Sequence, residues 1–557
     1  LIDVPIAVAL GIVALAAMVA TSGLAIIPNL ALVLFDGATK FPLIAIPLFI
    51  LAGAIMNSSG IARRLIALAS ALFGSISGSA VSNVATTGVI TIPLMQRSGY
   101  TGVQAGAIEA IASTGGQFMP PIMGAAAFLM VEYVGISYVE VITHAFLPAI
   151  ISYIALVYIV HLEAVKNRMP TLGDKVVKLW RTVLGMFLFF AGFAILCYAT
   201  QFPVRLVTSM VPTGSGWILA ALLGLVYLGL IYLASTVPDL EPDDPNSENV
   251  ELPHIPSIYK SGLYYLLPII VLVYFLMIER KSPGLSAFWA TFLLFGILLT
   301  QRMLKAMFRG ESAAVGKLKD GLFDLVAGLI DGARNMIGIG LATATAGIIV
   351  GTVSLTGIGQ VMADFVEFLS GGNLLAMLFF VAVISIILGM GLPTLGVYVL
   401  LAALVAPALI QVGIEPIAAH LYVLYFGMMS MITPPIALAA FAAASIAKSP
   451  SMATGWAAMR FGWSAYVIPV LFVFSPTLIL IGAPLEIAIA LITAIVGVWL
   501  VSSALAGYFS QRLSRGKRWL FATFGLLALV PAGMFEGAIY SDAIGVLGGI
   551  VLMGAEL

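Results

Sequence analysis

The sequence predicts an all-α polytopic membrane protein built from inverted repeats, with two re-entrant hairpins and two broken helices. Three observations carry this prediction. Of 557 residues, 61% are hydrophobic and 9% charged, against roughly 25% charged in a soluble domain. Two apolar stretches are interrupted in ways that hydrocarbon tolerates only where backbone is buried in protein or lines a wet cavity. Ser75, Ser77, Ser79, Ser82, Asn83, Thr86 and Thr87 interrupt one; Gly115, Gly116, Gln117, Pro120 and Pro121 interrupt the other. Finally, the interruptions recur. Ser79 and Pro393, Pro93 and Pro407, Gly99 and Gly413, and Pro120-Pro121 and Pro434-Pro435 are each 314 residues apart.

Taken in order, 4–34 is apolar with an interruption near Pro28, and 41–56 is a second span. The stretch 65–93 is a leg, a polar tip and a leg, and 103–130 is a span broken at 115–121. A span at 139–160 precedes a basic loop with Lys166, Arg168, Lys175, Lys178 and Arg181. Spans at 182–200 and 217–233 lead to 237–257, an acidic, Pro-rich stretch that reads as a disordered linker. Spans at 263–278 and 285–299 precede a basic amphipathic connection over 302–334. The second half begins with a span at 337–350 and a short polar segment holding Asp364 and Glu367. The second hairpin has legs at 374–388 and 395–409 and a tip at 389–394. A span over 417–446 is broken at 433–435, and spans at 461–481 and 485–505 follow. After the basic loop 512–518, two apolar segments close the sequence. The domain reading is 1–64 N-terminal scaffold, 65–136 first transport repeat, 137–336 scaffold and connecting helices, 337–447 second transport repeat and 448–557 C-terminal helices.

Orientation follows from Lys and Arg in short loops. Placing Arg63, Arg64, Arg97, Lys448 and the basic loops on the cytoplasmic side requires the hairpins to enter from opposite sides, so the repeat is inverted. Inverted repeats with discontinuous helices mark secondary transporters, whose sites lie between the repeats near mid-membrane. The competing reading is a pair of kinked helices with small residues at their contacts. Ser59-Gly60-Ile61 matches Thr356-Gly357-Ile358 at an offset of 297, which leaves the first hairpin 17 residues short (314 − 297). A sequence starting at Leu is expected to be a fragment, and no basic n-region marks a cleavable signal.

Hydroxyl- and amide-rich tips facing unwound helices offer cages of neutral oxygens, which suit a dehydrated monovalent cation such as Na⁺. The first cage would use Ser77, Gly78, Ser79, Asn83, Gly115 and Gly116; the second Gly389, Gly391, Thr394, Met431 and Thr433, with Thr343 and Thr345 as further candidates. Half-helix N-termini favour a substrate carboxylate, which makes Ser79, Asn83, Thr86, Gly116, Gln117, Pro393 and Thr394 candidate substrate contacts. Glu109 is a functional candidate, or else an interfacial carboxylate. Asp331 and Arg334 are spaced to pair on one helix face. Cys197 excludes an internal disulfide, and His144, His161, His254 and His420 lack metal-ligand spacing. No Walker A, H-E-x-x-H or G-x-S-x-G pattern is present, so the chain is not expected to be an enzyme.

The segments FGSISGSAVSNVATTG (73–88), AIEAIASTGGQFMPPIMGAAAF (107–128), LGMGLPT (388–394) and TPPIALAAFAAASIA (433–447) resemble the large permease of TRAP transporters, the tripartite ATP-independent periplasmic class. IPLMQRSGY (92–100), DGARN (331–335) and AGIIVGTVSLTG (346–357) share the resemblance, which is closest to the TAXI-associated fused permease. Residues 1–72 are more similar to the large subunit that works with DctP-type binding proteins. The resemblance implies an elevator-type importer coupled to Na⁺ in a bacterial or archaeal inner membrane. It implies an organic acid (a dicarboxylate, keto acid or amino acid) delivered by a periplasmic binding protein, expected to be TAXI-type. A small membrane subunit is a further expected partner. An ion channel, or an anion/sodium symporter working without a binding protein, is the alternative.

Overall fold

The computed structural model describes residues 6–23, 32, 79–120, 123–169, 192, 195, 199–211, 215–238, 260–311, 316–356, 358–392, 394–531 and 538–556. Among these the chain is helical, with no strand beyond one isolated bridge between Tyr508 and Arg512. Among the described residues, six helices are long and apolar enough to cross a membrane: Tyr138–Lys166, Gly216–Ser235, Lys260–Ile278, Pro283–Phe308, Ser451–Phe474 and Pro484–Ala506. The acidic linker beyond Pro238 and the span at 41–56 lie outside the described residues. Two compact units form: Leu1–Leu43 with Ser70–Pro170 and Ile337–Leu557, and Ile44–Ala69 with Thr171–Met336.

In the second unit, Ser282 caps Pro283–Phe308 by accepting from the Leu285 N–H at 3.4 Å, and Pro283 stands in the first turn, where its missing N–H is no loss. Its Gln301 is buried and accepts from the hydroxyls of Tyr264 (2.9 Å) and Tyr265. Arg309 donates to Ser235 O at 3.1 Å and Val237 O at 2.7 Å, satisfying carbonyls at the end of Ser215–Ser235.

The first unit carries a repeated backbone. Adding 314 to Ala80–Arg97 gives 394–411, covered by Thr394–Leu404 and Ala406–Gln411. Adding 314 to Gly102–Gly115 gives 416–429, the bounds of Pro416–Met429, and Ala125–Val134 maps within one residue onto Leu438–Ala447. The unusual backbone positions repeat as well. Gly99 (φ 107°) corresponds to Gly413 (φ 90°), and Met123 (φ 56°) to Ala437 (φ 38°). Each copy therefore has an exit leg, an upstream half-helix and a downstream half-helix. The first copy's entering leg is not described, whereas the second's is Leu374–Gly389.

Two sequence expectations are corrected. The connection over 302–334 and the span at 337–350 are not separate: Pro283–Phe308 runs on through Arg302, and Lys317–Thr356 is one helix of 40 residues. Its glycines are tolerated inside a long helix, and its charges lie along its first half. The polar segment at 364–367 lies within a helix, Ile358–Ser370. Asp331 and Arg334 are both exposed and form no ion pair with each other.

Candidate functional site

The first break begins where Gly102–Gly115 ends. Tyr153, from Tyr138–Lys166, donates to Ala112 O at 3.1 Å, so a carbonyl of the last helical turn has an outside partner. Gly116–Phe118 forms one 3₁₀ turn, Met123 takes a left-handed conformation, and Ala125–Val134 begins. Gln117 O accepts from the Gly124 N–H at 2.6 Å and closes the loop. The second break is closed the same way. Met431 O accepts from Ala439 N at 2.9 Å and Ala440 N at 3.4 Å, and Ala437 is left-handed. A positive φ at Met or Ala is strained and persists only where surrounding structure imposes it.

Each exit leg or tip meets its own upstream half-helix near the break. In the first copy, Asn83 Nδ2 donates to Ser113 Oγ at 2.8 Å. In the second, a Cβ at Gly389 would lie 2.8 Å from Ser430 Oγ and 2.9 Å from Gly427 O, so only glycine fits against the break. Gly391 holds the tip turn with φ 79°, and Thr394 is buried at the start of the exit leg.

Below Asn83, the first copy holds a buried polar cluster. Glu109, 2% exposed, accepts from Thr87 Oγ1, from Thr91 Oγ1 at 2.6 Å and from Ser113 Oγ at 3.2 Å. The carboxylate is enclosed between exit leg and upstream half-helix. Thr87 and Thr91 also lie 2.8 Å from Asn83 O and 3.0 Å from Thr87 O. Adding 314 to 83, 87, 91, 109 and 113 gives Val397, Leu401, Val405, Val423 and Gly427. Those residues pack directly: a Cβ at Gly427 would meet Val397 Cγ1 at 2.6 Å and Leu401 Cδ1 at 2.8 Å. The same backbone is thus held by polar side chains in one copy and apolar ones in the other.

The downstream halves are exchanged. Leu438–Ala447 packs on Ala80–Arg97 and Gly102–Gly115 of the first copy. The approach is close: a Cβ at Gly102 would lie 2.8 Å from Ala447 O, and Gln96 Nε2 donates to that carbonyl at 2.9 Å. Ala125–Val134 packs on Thr394–Leu404 and Pro416–Met429 of the second copy. Tyr133 lies 6.1 Å from the Tyr398 ring and 5.9 Å from the His420 ring, and Tyr398 Oη and His420 Nδ1 are 2.9 Å apart. At the break itself Phe118 stacks on Tyr425 at 4.3 Å.

Of the sequence candidates, Asn83 lies beside the first break and Gly115, Gly116 and Gln117 form it, all four buried; Met431 and Thr433 belong to the second, and Gly389 lies against Gly427 and Ser430 just before it. Ser79 caps the first exit leg, accepting from the Ser82 N–H at 3.3 Å. Thr433 Oγ1 donates to Met429 O at 2.7 Å and lies 2.7 Å from Tyr466 Oη. Ser77, Gly78 and Pro393 lie outside the described residues, as do the side chains of Thr86, Thr343 and Thr345. The oxygens of these described candidates are neutral. Both lone pairs of Met431 O are taken by its own downstream half-helix, so that carbonyl does not fit as a ligand. Thr87 and Thr91 are the residues sequence reasoning missed; their signal is the i, i+4 spacing with Asn83 on one helix face.

The family model of the tripartite ATP-independent periplasmic transporter, DctM component, matches residues 1–74, 67–202 and 191–487. The chain belongs to this family. The first two matched stretches of the DctM-family chain overlap at 67–74, within the segment where the offsets leave the first hairpin short. The chain is 35% identical over 152 residues to YgiK, an uncharacterized protein of Salmonella typhimurium, covering 24% of this chain and 35% of that one. It is 38% identical over 138 residues to the isethionate TRAP transporter permease DctMQ of Oleidesulfovibrio alaskensis, covering 22% of each. It is 30% identical over 173 residues to the C4-dicarboxylate TRAP transporter large permease DctM of Pseudomonas aeruginosa, covering 27% of this chain and 39% of that one. The matches thus span about a fifth to two fifths of these relatives. A DctM-family member is a transporter component, in line with the expectation of a non-enzyme.

Proposed function

We propose that this DctM-family chain imports an organic acid across a bacterial or archaeal inner membrane, as a multi-pass Na⁺-coupled secondary transporter. The observation that carries the reading is the exchange of downstream half-helices between two copies of a broken-helix unit. The exchange ties both breaks into one packed body, as a carrier domain that moves past a scaffold needs. An elevator motion of that body is the proposed mechanism, and the opposite membrane entry of the two hairpins its topology. Na⁺ is assigned to the neutral oxygens of Ser77, Gly78, Ser79, Asn83, Gly115 and Gly116, and to those of Gly389, Gly391, Thr394 and Thr433. The acid is assigned to Ser79, Asn83, Thr86, Gly116, Gln117, Pro393 and Thr394. The substrate reading draws on relatives named for C4-dicarboxylates, isethionate and 2,3-diketo-L-gulonate. Delivery by a periplasmic binding protein, TAXI-type by sequence resemblance, and pairing with a small membrane subunit complete the proposal.

Flux into proteoliposomes tests it. Saturable uptake that needs both an inward Na⁺ gradient and the binding protein is expected, with Na⁺ dependence weakened by Asn83→Ala. Conductance without saturation would sink the carrier reading in favour of a channel. Saturable uptake without the binding protein would favour a free-standing symporter.

A further inference from the structure

Ser113 is fully buried, and its hydroxyl is used differently from those around it. Thr114 Oγ1 donates to Ala110 O at 2.8 Å, and Thr87 and Thr91 each reach a carbonyl one turn back, at 2.8 and 3.0 Å. Such back-bonding is the ordinary use of a helical hydroxyl. The Ser113 hydroxyl instead reaches the Glu109 carboxylate at 3.2 Å and lies 2.8 Å from Asn83 Nδ2. These two neighbours make opposite demands. A carboxylate only accepts and an amide nitrogen only donates, so the single hydroxyl hydrogen goes to Glu109 and an oxygen lone pair takes the hydrogen from Asn83.

The consequence reaches the exit leg. An amide can present either of its ends, and the two attract opposite ligands: the nitrogen an anion, the oxygen a cation. Turned over, Asn83 would set Oδ1 against Ser113. The one hydroxyl hydrogen would then have to serve both Oδ1 and Glu109, and a buried acceptor deprived of its donor is costly. Thr87 and Thr91 can fall back on their helix carbonyls, so Ser113 is the donor whose direction depends on the carboxylate. Without Glu109, Ser113 can accept from Nδ2 or donate to Oδ1, and both orientations of the amide become available. The fold does not require the relay, because Val397, Val423 and Gly427 stand at the matching positions of the second copy.

We propose that Glu109 is a positioning residue: through Ser113 it holds Asn83 with Nδ2 against the upstream half-helix, so that Asn83 meets a ligand through its oxygen. That makes Asn83 a ligand of the coupling cation rather than a contact for the substrate carboxylate. The inference rests on the Na⁺-coupled reading above and narrows it, since Asn83 is there assigned to both. Glu109 acts by accepting the Ser113 hydrogen and not by its charge, so a neutral acceptor in its place holds the amide as well.

Thermal shift of the purified full chain in detergent provides the test, titrated with NaCl while choline chloride holds the ionic strength constant. Glu109→Met removes the acceptor at similar size, and Ser113→Ala removes the relay. Each is expected to raise the half-saturating Na⁺ concentration about tenfold or more. Glu109→Gln keeps an oxygen for Ser113 and can turn its nitrogen to Thr91 Oγ1, so it should stay within about threefold of the unmodified chain. Glu109→Met and Ser113→Ala together should be within about twofold of the weaker single variant, because both cut one link. A folded Glu109→Met or Ser113→Ala that keeps the original value overturns the proposal. So do losses that multiply in the double variant. Glu109→Gln as weak as Glu109→Met would make charge the cause and overturn it too. Ser113→Ala, which deletes one hydroxyl, carries the test if Glu109→Met does not fold. No Na⁺-dependent shift in the unmodified chain would remove the cation reading itself, and this inference with it. A shift there that the folded variants retain removes this inference alone.

Discussion

Replacing Asn83, Thr87, Thr91, Glu109 and Ser113 together, as Asn83→Val, Thr87→Leu, Thr91→Val, Glu109→Val and Ser113→Gly, gives the first copy the residues that the second carries at those positions. The structure sets the expected magnitudes. Glu109 receives three hydroxyl hydrogen bonds. A hydrogen bond to a charged group contributes about 1.5–3 kcal/mol, so Thr87→Leu alone should destabilise by about that much. Glu109→Val alone turns Thr87 and Thr91 toward Asn83 O and Thr87 O, leaves Ser113 accepting from Asn83, and opens a small cavity. Its cost is about 1–3 kcal/mol. The fivefold variant removes both ends of the side-chain contacts among these five residues and refills the space as the second copy does. It should lie within about 2 kcal/mol of the original, well short of the sum of its parts. Thermal unfolding in detergent, followed by intrinsic fluorescence, reads the stability, and proteoliposome flux reads the function. We expect a folded fivefold variant with no uptake. Unfolding below the worst single variant would make the cluster structural and refute the reasoning from the second copy. Full uptake would refute a role in transport.

Other contacts give further expectations. Gly389→Ala forces the tip off Ser430 and the Gly427 carbonyl and should abolish uptake while the protein still reaches the membrane, as surface labelling would show. Glu163 is buried and paired with Arg460 at 2.8 Å and Lys166 at 3.6 Å. Arg460→Met should therefore destabilise by about 1–3 kcal/mol, and adding Glu163→Gln should recover most of that in a double-mutant cycle. Hydrogen bonds from Lys517 and Gln511 hold the Glu556 carboxyl below the usual carboxylate range. A lowered folded-state value means that this contact stabilises above the ordinary range and is lost as pH falls through the lowered value. Fluorescence of Trp519 should report that loosening in acid, and Lys517→Met should remove it.

Both breaks are legible in the sequence because they are written in local chemistry. Pro120-Pro121 and Pro434-Pro435 disfavour a continuing helix, and a constant offset ties the two pairs together. Half-helix and exit-leg bounds follow to within a few residues. The long helix Lys317–Thr356 is not legible, because Lys317, Lys319, Asp320, Asp324, Asp331 and Arg334 resemble a solvated connection before an apolar span. Exposed charge and helix are compatible, and only packing decides how far such a helix runs. The enclosure of Glu109 is hidden for a different reason. Its partners stand 18 and 22 residues earlier on another element, so its neighbours along the chain do not reveal its burial. The exchange of downstream halves is more remote still, joining residues such as Gln96 and Ala447.

What the two copies share, and where they differ, separates the demands of the fold from those of the chemistry. They share half-helix bounds, a carbonyl that closes each break, and strained left-handed residues at Met123 and Ala437. Strain kept at both breaks, on side chains as different as Met and Ala, belongs to the backbone that interrupts the helix. Glu109, Thr87, Thr91, Asn83, Ser113 and Gln117 have only Val, Leu, Gly and Met as counterparts. A polar set that the same backbone can do without is not maintained for packing, since a buried polar group gains little net stability even when fully bonded. The first break is therefore where substitutions should alter which ligand is accepted. The second break, with its glycine-only contact at Gly389, is where they should alter whether the body holds together.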